Sequence, residues 1–193
     1  MKAIAINGSP RTGGNTEFLL RKVLEPIAEA GIETELIQIG GKPVRGCLAC
    51  YKCVANKDAR CANQADIANE YIAKMIEADA IVLGSPTYFA DMTSEMKALI
   101  DRAGFVAGAN GGLFSRKIGA AVVVNRRGGA TNVLDSINHM FLMSQMIVPG
   151  STYWNFGVGL EKGDVEKDAE ALANMKDLGE TIAWLVMSLR SAH

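Results

Sequence analysis

The sequence predicts an α/β fold in which a parallel sheet lies between two layers of helices. Short apolar segments alternate with longer segments whose apolar residues recur at helical spacing. Two of the short segments, IVLG at 81–84 and AAVVV at 120–124, are apolar without interruption. Such strands are typical of a parallel sheet that is covered on both faces. The alternation of strand and helix patterns therefore indicates a parallel sheet that is covered on both faces.

Five segments of the chain are expected to be strands. Each is short and mainly apolar, and turn-forming residues follow most of them. The predicted strands are residues 2–6, 33–39, 79–84 and 117–125, with a short fifth strand near 147–153. Right-handed crossovers then give a doubly wound, flavodoxin-like five-stranded parallel sheet in the middle of three αβα layers. In such sheets a ligand binds beyond the carboxyl ends of the strands, so the loops at those ends are the candidate site.

Five segments carry the apolar spacing of amphipathic helices. They are residues 15–30, 64–77, 92–104, 130–146 and 164–189. Pro26 lies inside the first of them and is expected to bend it. Residues 40–62 show no clear period and contain all four cysteines. We therefore expect a single flavodoxin-like domain over residues 1–193, with a cysteine-rich loop at 40–62.

The composition excludes several classes of protein. The chain has 193 residues, is 49% hydrophobic and 21% charged, and carries a formal net charge of −1. No broad positive field is available for nucleic acid or an anionic membrane, and no run of 18 apolar residues predicts a membrane span. The first residues lack the long apolar stretch of a signal peptide. We expect a cytoplasmic protein without permanent disulfides.

The loop after the first strand, NGSPRTGGNT at 7–16, has the features of a phosphate site. Gly13 and Gly14 allow backbone N–H groups to turn toward one point, and the following helix N-terminus favours an anion. Short polar side chains and Arg11 add donors. The loop is neither a P-loop nor a dinucleotide fingerprint, because both glycine spacings are absent. The alternative is a polar turn with a helix cap at Asn15 or Thr16.

Two further loops follow the third and fourth strands. In GSPTYF at 84–89, the proline stiffens the turn, and Tyr88 and Phe89 offer aromatic faces to a flat heterocycle. The alternative is that both aromatic side chains belong to the core or to an oligomer contact. In NRRGGATN at 125–132, paired glycines allow close backbone approach and paired arginines attract an anionic cofactor or nucleotide phosphates. The alternative there is a solvated turn.

The cysteine loop has the spacing C-x2-C-x2-C-x7-C, from Cys47 through Cys50 and Cys53 to Cys61. Three thiolates at x2 intervals suit one face of a [4Fe–4S] cluster, and a fourth can close it. Asp58 is the only acid between positions 36 and 65, and basic residues flank the thiols at Lys42, Arg45, Lys52, Lys57 and Arg60. Those cations would offset an anionic cluster. Free or redox-active thiols and a zinc site remain the alternatives.

The motifs GSPRTGGNT, GSPTYF with MKALIDR after it, and RRGG resemble those of the flavodoxin-fold family of NADPH-dependent FMN reductases. The resemblance covers nearly the whole chain, and the cysteine loop is most similar to that of the iron–sulfur flavoproteins. It implies non-covalent FMN, whose phosphate would be held by Ser9, Arg11, Gly14, Asn15 and Thr16. The flavin ring and ribityl chain would contact Pro86, Thr87, Tyr88 and Phe89. The residues that would close over the ring are Asn125, Arg126, Gly128 and Gly129.

The resemblance implies two functions for the chain. In the first, NAD(P)H reduces the flavin, which passes electrons to a quinone, another flavin, a metal ion or a small electrophile. In the second, the protein is an electron carrier that receives electrons from ferredoxin or another carrier through the cluster. A homodimer or homotetramer is expected by the same analogy. A third possibility, a non-redox binding module, is disfavoured because the strand ends lack the grouped aspartates of a phosphoryl acceptor. No catalytic side chain is predicted, and His139 is interpreted as structural.

Overall fold

A parallel sheet forms the centre of the computed structural model, which describes residues 1–191. Within that range the sheet has five strands in the order β2-β1-β3-β4-β5, and every neighbouring pair is parallel. The strands are β1 Lys2–Asn7, β2 Glu33–Gln38, β3 Ala80–Pro86, β4 Ile118–Asn125 and β5 Phe156–Val158. This order is that of the predicted doubly wound, flavodoxin-like fold.

Helices cover both faces of the sheet. They are α1 Asn15–Glu29, α2 Lys52–Asn56, α3 Ala68–Glu77, α4 Ser94–Ala109, α5 Ala130–Met143 and α6 Ala169–Ser191, with a short 3₁₀ turn at Asp164–Lys167. One apolar cluster joins the sheet to α1 and α6, and a second joins it to α3, α4 and α5. Side chains alternate between the two along each strand, so that Ala3 and Ala5 face the first cluster while Ile4 and Ile6 face the second. The uninterrupted apolar strands are therefore buried on both sides, as predicted.

The last strand was predicted in the wrong place. It lies at 156–158 and not at 147–153. Ile147 makes only an isolated bridge with Ile118, through hydrogen bonds to Lys117 and Gly119. Pro149 follows and has no N–H to donate, so the ladder cannot continue there.

Several helix boundaries also differ from the prediction. The cysteine loop contains the short helix α2, which apolar spacing alone did not indicate. The third helix starts at 68 and not at 64, because the Asp66 carboxylate accepts the Ala68 N–H in front of it. The fifth helix ends at 143 and not at 146, where Gln145 takes a left-handed φ of 59°. The final helix begins at 169 after the separate 3₁₀ turn.

No helix within residues 1–191 combines the length and the apolar character needed to cross a bilayer.

Helices α1 and α6 pack tightly against each other at Gly179. A Cβ atom at this position would lie 2.3 Å from the Val23 carbonyl oxygen and 2.5 Å from Pro26 Cγ. Pro26 remains within α1, and its ring occupies the contact with α6. The small residue at 179 is therefore required by packing.

We predict that Gly179→Ala destabilises the protein by about 1–2 kcal/mol, because the clash outweighs the roughly 1 kcal/mol that alanine gains over glycine in a helix. The matched control is Gly108→Ala in α4, where a Cβ would meet nothing within 4 Å. That change should stabilise by about 0.5–1 kcal/mol. Urea unfolding followed by circular dichroism measures both. If both variants change the free energy of unfolding in the same direction, close packing at Gly179 does not require glycine there.

Candidate functional site

Three loops meet at the carboxyl ends of β1, β3 and β4. The Gly8 N–H donates to the Gly84 carbonyl at 2.7 Å, which joins the first loop to β3. The Thr87 N–H donates to the Val124 carbonyl at 2.8 Å, which joins the loop after β3 to β4. The loops that were selected from the sequence as separate motifs therefore form one continuous edge.

The first loop is held by its own polar groups. The Ser9 N–H donates to Asn7 Oδ1 at 3.0 Å, and the Arg11 N–H donates to Ser9 Oγ at 3.2 Å. Helix α1 then begins after Gly14, the residue at its N-cap position. The first N–H groups of a helix have no intrahelical partner, so this turn is suited to an anion.

Charged side chains surround this turn. Arg11 donates to the Leu160 carbonyl at 2.8 Å, and Lys162 Nζ lies 2.9 Å from where a Cβ on Gly13 would be. Glu17 also accepts the Gly13 N–H at 2.6 Å. Burial favours protonation of Glu17, but hydrogen bonds from Arg21 and the Gly13 N–H outweigh it and keep the pKa of this carboxyl below its ordinary value. The turn therefore combines two cations with one carboxylate that competes for a backbone donor.

Asn15 has a different local role from the one that the resemblance implies. Its side-chain amide donates to the Glu161 carbonyl at 2.8 Å and accepts the Gly163 N–H at 2.9 Å. Both ends of the amide thus bind the segment 161–163, which carries Lys162. Thr16 beside it is buried. No local pattern points to Lys162, because about 150 residues separate it from the loop it joins.

The second loop makes a tight hairpin turn. Tyr88 and Asp91 exchange two backbone hydrogen bonds of 2.8 and 3.1 Å. Phe89 and Ala90 between them both have left-handed φ angles, 47° and 66°. Such angles are costly for residues with a Cβ, and strained residues of this kind recur at ligand-binding sites. Phe89 is fully exposed at 108% and Tyr88 at 45%, so neither aromatic side chain belongs to the core.

The third loop starts from a buried residue and then becomes exposed. Asn125 is buried at the end of β4, and its carbonyl accepts the Gly159 N–H at 2.9 Å. Arg126 and Gly128 are exposed. Gly129 has a φ of 85°, and a Cβ on it would lie 3.0 Å from Thr87 Cγ2. This turn therefore closes directly against the second loop.

Two buried oxygen atoms at this edge have no hydrogen-bond partner. Thr87 Oγ1 and Asn125 Oδ1 are two of the three such side-chain atoms among residues 1–191, the third being Asn138 Oδ1. Because Pro86 pairs with Val124, Thr87 and Asn125 come next to each other at the ends of adjacent strands. An unpartnered buried polar atom costs about 1–3 kcal/mol. The pair fits a ligand that brings hydrogen-bonding groups to this point, such as the edge of a flavin.

The four cysteines line one small cavity between the cysteine loop and α4. None of them is in a disulfide; Cys47 and Cys50 are exposed, Cys61 is half-buried and Cys53 is buried. The Ala49 N–H donates to Cys47 Sγ at 3.4 Å. Left-handed backbone angles recur through the loop, at Ala49, Tyr51, Lys57 and Ala59. Such alternation turns N–H groups toward a common centre, as in anion-binding and iron–sulfur sites.

A buried arginine completes the lining of this cavity. Arg102 of α4 donates through Nε to Cys61 Sγ at 3.3 Å, through Nη1 to both Asp66 oxygens at 2.7 Å, and through Nη2 to the Asn63 carbonyl at 2.7 Å. Burial disfavours its charge, but the hydrogen bonds to Asp66 and Cys61 keep the pKa of Arg102 above its ordinary value. Likewise, burial favours protonation of Asp66, yet the Arg102 contact and two backbone N–H groups keep the pKa of Asp66 low.

The role of Arg102 was not predicted from the sequence, although this residue lies in the motif MKALIDR. The available signal was its position on the buried stripe of α4, between Ala98 and Val106 at steps of four. A charged residue on such a stripe needs a buried partner. His139, by contrast, is exposed on α5 and is not a core histidine.

The donor chemistry of the cavity fits a thiolate-ligated metal group. Four thiols, N–H donors and a cation surround it, and together they suit an anionic centre. In the range 1–191, no three cysteine, histidine or acidic side chains are already gathered at metal-ligand positions. Cys47, Cys50, Cys53 and Cys61 are the residues that would hold such a group.

The sequence matches the model of one known protein family over most of its length. The model of the family described as NADPH-dependent FMN reductase matches residues 1–161, which include all three loops and the cysteine loop. The chain belongs to this family. Relatives of similar sequence include an iron–sulfur flavoprotein of Methanocaldococcus jannaschii, 38% identical over 98% of this chain and 100% of the relative. Another, from Archaeoglobus fulgidus, is 34% identical over 94% of each chain.

Solved structures show the same fold at lower sequence identity. A flavodoxin from the domain Archaea superposes with a TM-score of 0.64 at 21% identity and covers 97% of this chain and 99% of its own. The flavodoxin-like fold that the sequence predicts is thereby confirmed.

We predict that Asp66→Asn destabilises the protein by about 3 kcal/mol at pH 7, because the buried Arg102 charge loses its partner. Since the pKa of Asp66 is lowered in the folded state, its contribution is complete above about pH 3.9, the unfolded value. It is lost as the pH falls through the lower folded value. Urea unfolding at pH 7, 5 and 3 should show that the difference in the free energy of unfolding between variant and wild type becomes smaller as the pH falls.

The control for this measurement is Asp101→Asn, which removes an acid from a surface ion pair with Lys97 on α4. Its cost should stay below about 1 kcal/mol. If Asp66→Asn lowers the free energy of unfolding only slightly at pH 7, or if its effect grows as the pH falls, the stabilising role of the Asp66–Arg102 ion pair is contradicted.

Proposed function

We propose that the protein is an FMN-dependent oxidoreductase that passes electrons from NAD(P)H or a reduced carrier to an acceptor, with a [4Fe–4S] cluster in the cysteine loop. The observation that carries the flavin site is the adjacent pair of unpartnered oxygens on Thr87 and Asn125. They lie beside a turn that is suited to phosphate and beside an exposed aromatic turn. Membership of the FMN reductase family supports the same cofactor.

FMN would lie with its phosphate at the first loop. Ser9, Arg11, Gly14 and Thr16 surround that turn, with Lys162 as a further cation. Asn15 would act there through its backbone N–H, because its side chain holds segment 161–163. The competing Glu17 carboxylate would have to release the Gly13 N–H to the phosphate.

The isoalloxazine ring would lie between the second and third loops. The residues facing it would be Pro86, Thr87, Tyr88 and Phe89 on one side, and Asn125, Arg126, Gly128 and Gly129 on the other. FMN, when bound, supplies hydride acceptance and one-electron transfer. The chain's own task is to orient the ring through Thr87 and Asn125 and to balance charge through exposed Arg126.

The relatives' names support the cluster. Two full-length relatives are called iron–sulfur flavoproteins, and the four cysteines of this chain line one cavity. Cys47, Cys50, Cys53 and Cys61 would ligate the iron. Reduced thiols are needed for this, which agrees with the cytoplasmic location that we propose.

A second candidate function is that of an electron carrier without direct use of NAD(P)H. It is favoured by the surface over the cysteines, where Leu48 and Tyr51 are exposed at 69% and 61%. Exposed basic residues flank them in the sequence: Lys42, Arg45, Lys52, Lys57 and Arg60. Exposed apolar side chains within a basic segment suit an acidic redox partner such as ferredoxin.

We also propose that the protein is a homodimer or homotetramer. A groove of about 720 Å³ between α4 and α5 has an apolar lining. Beside it Phe105, Leu142 and Met143 expose large apolar side chains. Surfaces of this kind are typical of contacts between subunits.

We predict that Thr87→Val has opposite effects on stability and on flavin binding. Removal of an unpartnered buried oxygen should stabilise the flavin-free protein by about 1 kcal/mol, and loss of its hydrogen bond to FMN should weaken FMN binding by roughly 3–10-fold. Thermal unfolding and fluorescence titration with FMN measure the two. The control is Asn138→Leu, which removes the third unpartnered oxygen, in α5 and away from the three loops. This variant should leave FMN affinity unchanged. Unchanged FMN binding in Thr87→Val would remove Thr87 from the site.

The cluster and the electron donor can be tested together on anaerobically purified protein. We expect flavin absorption with a broad shoulder near ~400 nm and about four irons and four sulfides per chain. Rapid flavin bleaching on addition of NADPH or NADH would support the reductase. Slow bleaching by both, with fast reduction by reduced ferredoxin, would support the carrier. Flavin without iron after reconstitution would contradict the cluster.

A further inference from the structure

Arg102 is the largest fully buried side chain among those described, with 1% exposure. Burial of a guanidinium is costly unless every donor is used and the charge is matched. Asp66 matches the charge, yet it binds only through Nη1. The Nε donor is directed instead at Cys61 Sγ. The arginine therefore carries a hydrogen bond to sulfur that the ion pair does not need.

Cys61 is held from two helices. Its N–H donates to Asn69 Oδ1 at 2.8 Å, and its carbonyl accepts from Asn69 Nδ2 at 2.8 Å, which ties the backbone to α3. Arg102 ties the sulfur to α4. The first three cysteines lie close together in sequence, whereas seven residues, including part of α2, separate Cys53 from Cys61. Tertiary contacts must therefore place the fourth thiol.

We propose that Arg102, oriented by Asp66, is the positioning residue that fixes Cys61 as the fourth ligand and stabilises the reduced state of the bound cluster. This inference rests on the cluster of the proposed function. Each electron that enters a thiolate-ligated cluster adds negative charge, and N–H donors to sulfur together with a nearby cation stabilise that charge. Arg102 supplies both, at the one cysteine that the loop cannot place by itself.

The test compares cluster-loaded wild type with Arg102→Gln and Arg102→Lys. Iron and sulfide content report ligation, and an anaerobic redox titration followed by electron paramagnetic resonance reports the midpoint potential. Arg102→Gln should bind less iron and have a more negative midpoint potential. Arg102→Lys, which keeps the charge, should recover much of the potential. Lys97→Gln, an equal loss of charge on the exposed face of α4, should leave both readouts unchanged.

Asp66→Asn should give a shift of the opposite sign. Asparagine keeps an oxygen that accepts from Arg102 Nη1, so the arginine stays oriented, and the loss of one negative charge beside it should make the midpoint potential less negative than in the wild type. A shift in the same direction as that of Arg102→Gln would indicate general loosening of the site and would overturn the proposal, as would a fully loaded Arg102→Gln with the wild-type potential. If Arg102→Gln does not fold, the iron content and midpoint potentials of Arg102→Lys and Asp66→Asn test the proposal in its place.

Failure of the proposed function has a different signature. Wild-type protein that takes up no iron on reconstitution would remove the cluster itself, and the role of Arg102 with it. Failure of the Arg102 role alone requires a wild type that loads fully and variants that match its potential.

Discussion

The candidate site depends first on how closely the first loop packs against its neighbours. The Gly8 N–H continues the pairing of β1 with β3 by one residue, and Thr93 Oγ1 donates to the Gly8 carbonyl at 3.0 Å. On the other side, a Cβ on Gly40 would lie 2.2 Å from the Ser9 carbonyl carbon. The loop is thereby held between β3, α4 and the segment after β2.

Local pattern was enough to predict the fold and the three loops. Uninterrupted apolar strands, helical spacing and turn residues are all short-range signals, and the parallel sheet order follows from them with few alternatives. The fifth strand was misplaced because Ile147 and Val148 have strand composition, whereas the position of Pro149 decides against them. Although these residues have the composition of a strand, the missing N–H of Pro149 prevents further pairing, and the strand does not form there.

The side chains that define the two sites were harder to predict, because their partners are distant in sequence. Lys162 reaches the first loop only because Asn15 binds segment 161–163. Arg102 meets Cys61 only because α4 lies beside the cysteine loop. Likewise, nothing in the motif around Thr87 says that its hydroxyl lacks a partner in the folded protein. Unsatisfied groups are a property of packing and become visible only in the structure.

Helix α4 connects the two sites. Thr93, immediately before its first residue, binds the first loop at Gly8, and Arg102 binds Cys61. Arg102 follows Thr93 by nine residue steps, or roughly 13 Å at 1.5 Å per residue. Cys61 and Asp66 both bind Arg102, so the segment that carries the fourth cysteine is held by the same helix that holds the first loop. Separating that segment from α4 would leave the buried Arg102 charge without its partner, which is costly. The buried ion pair therefore ties the fourth cysteine to the element that also supports the strand-end site.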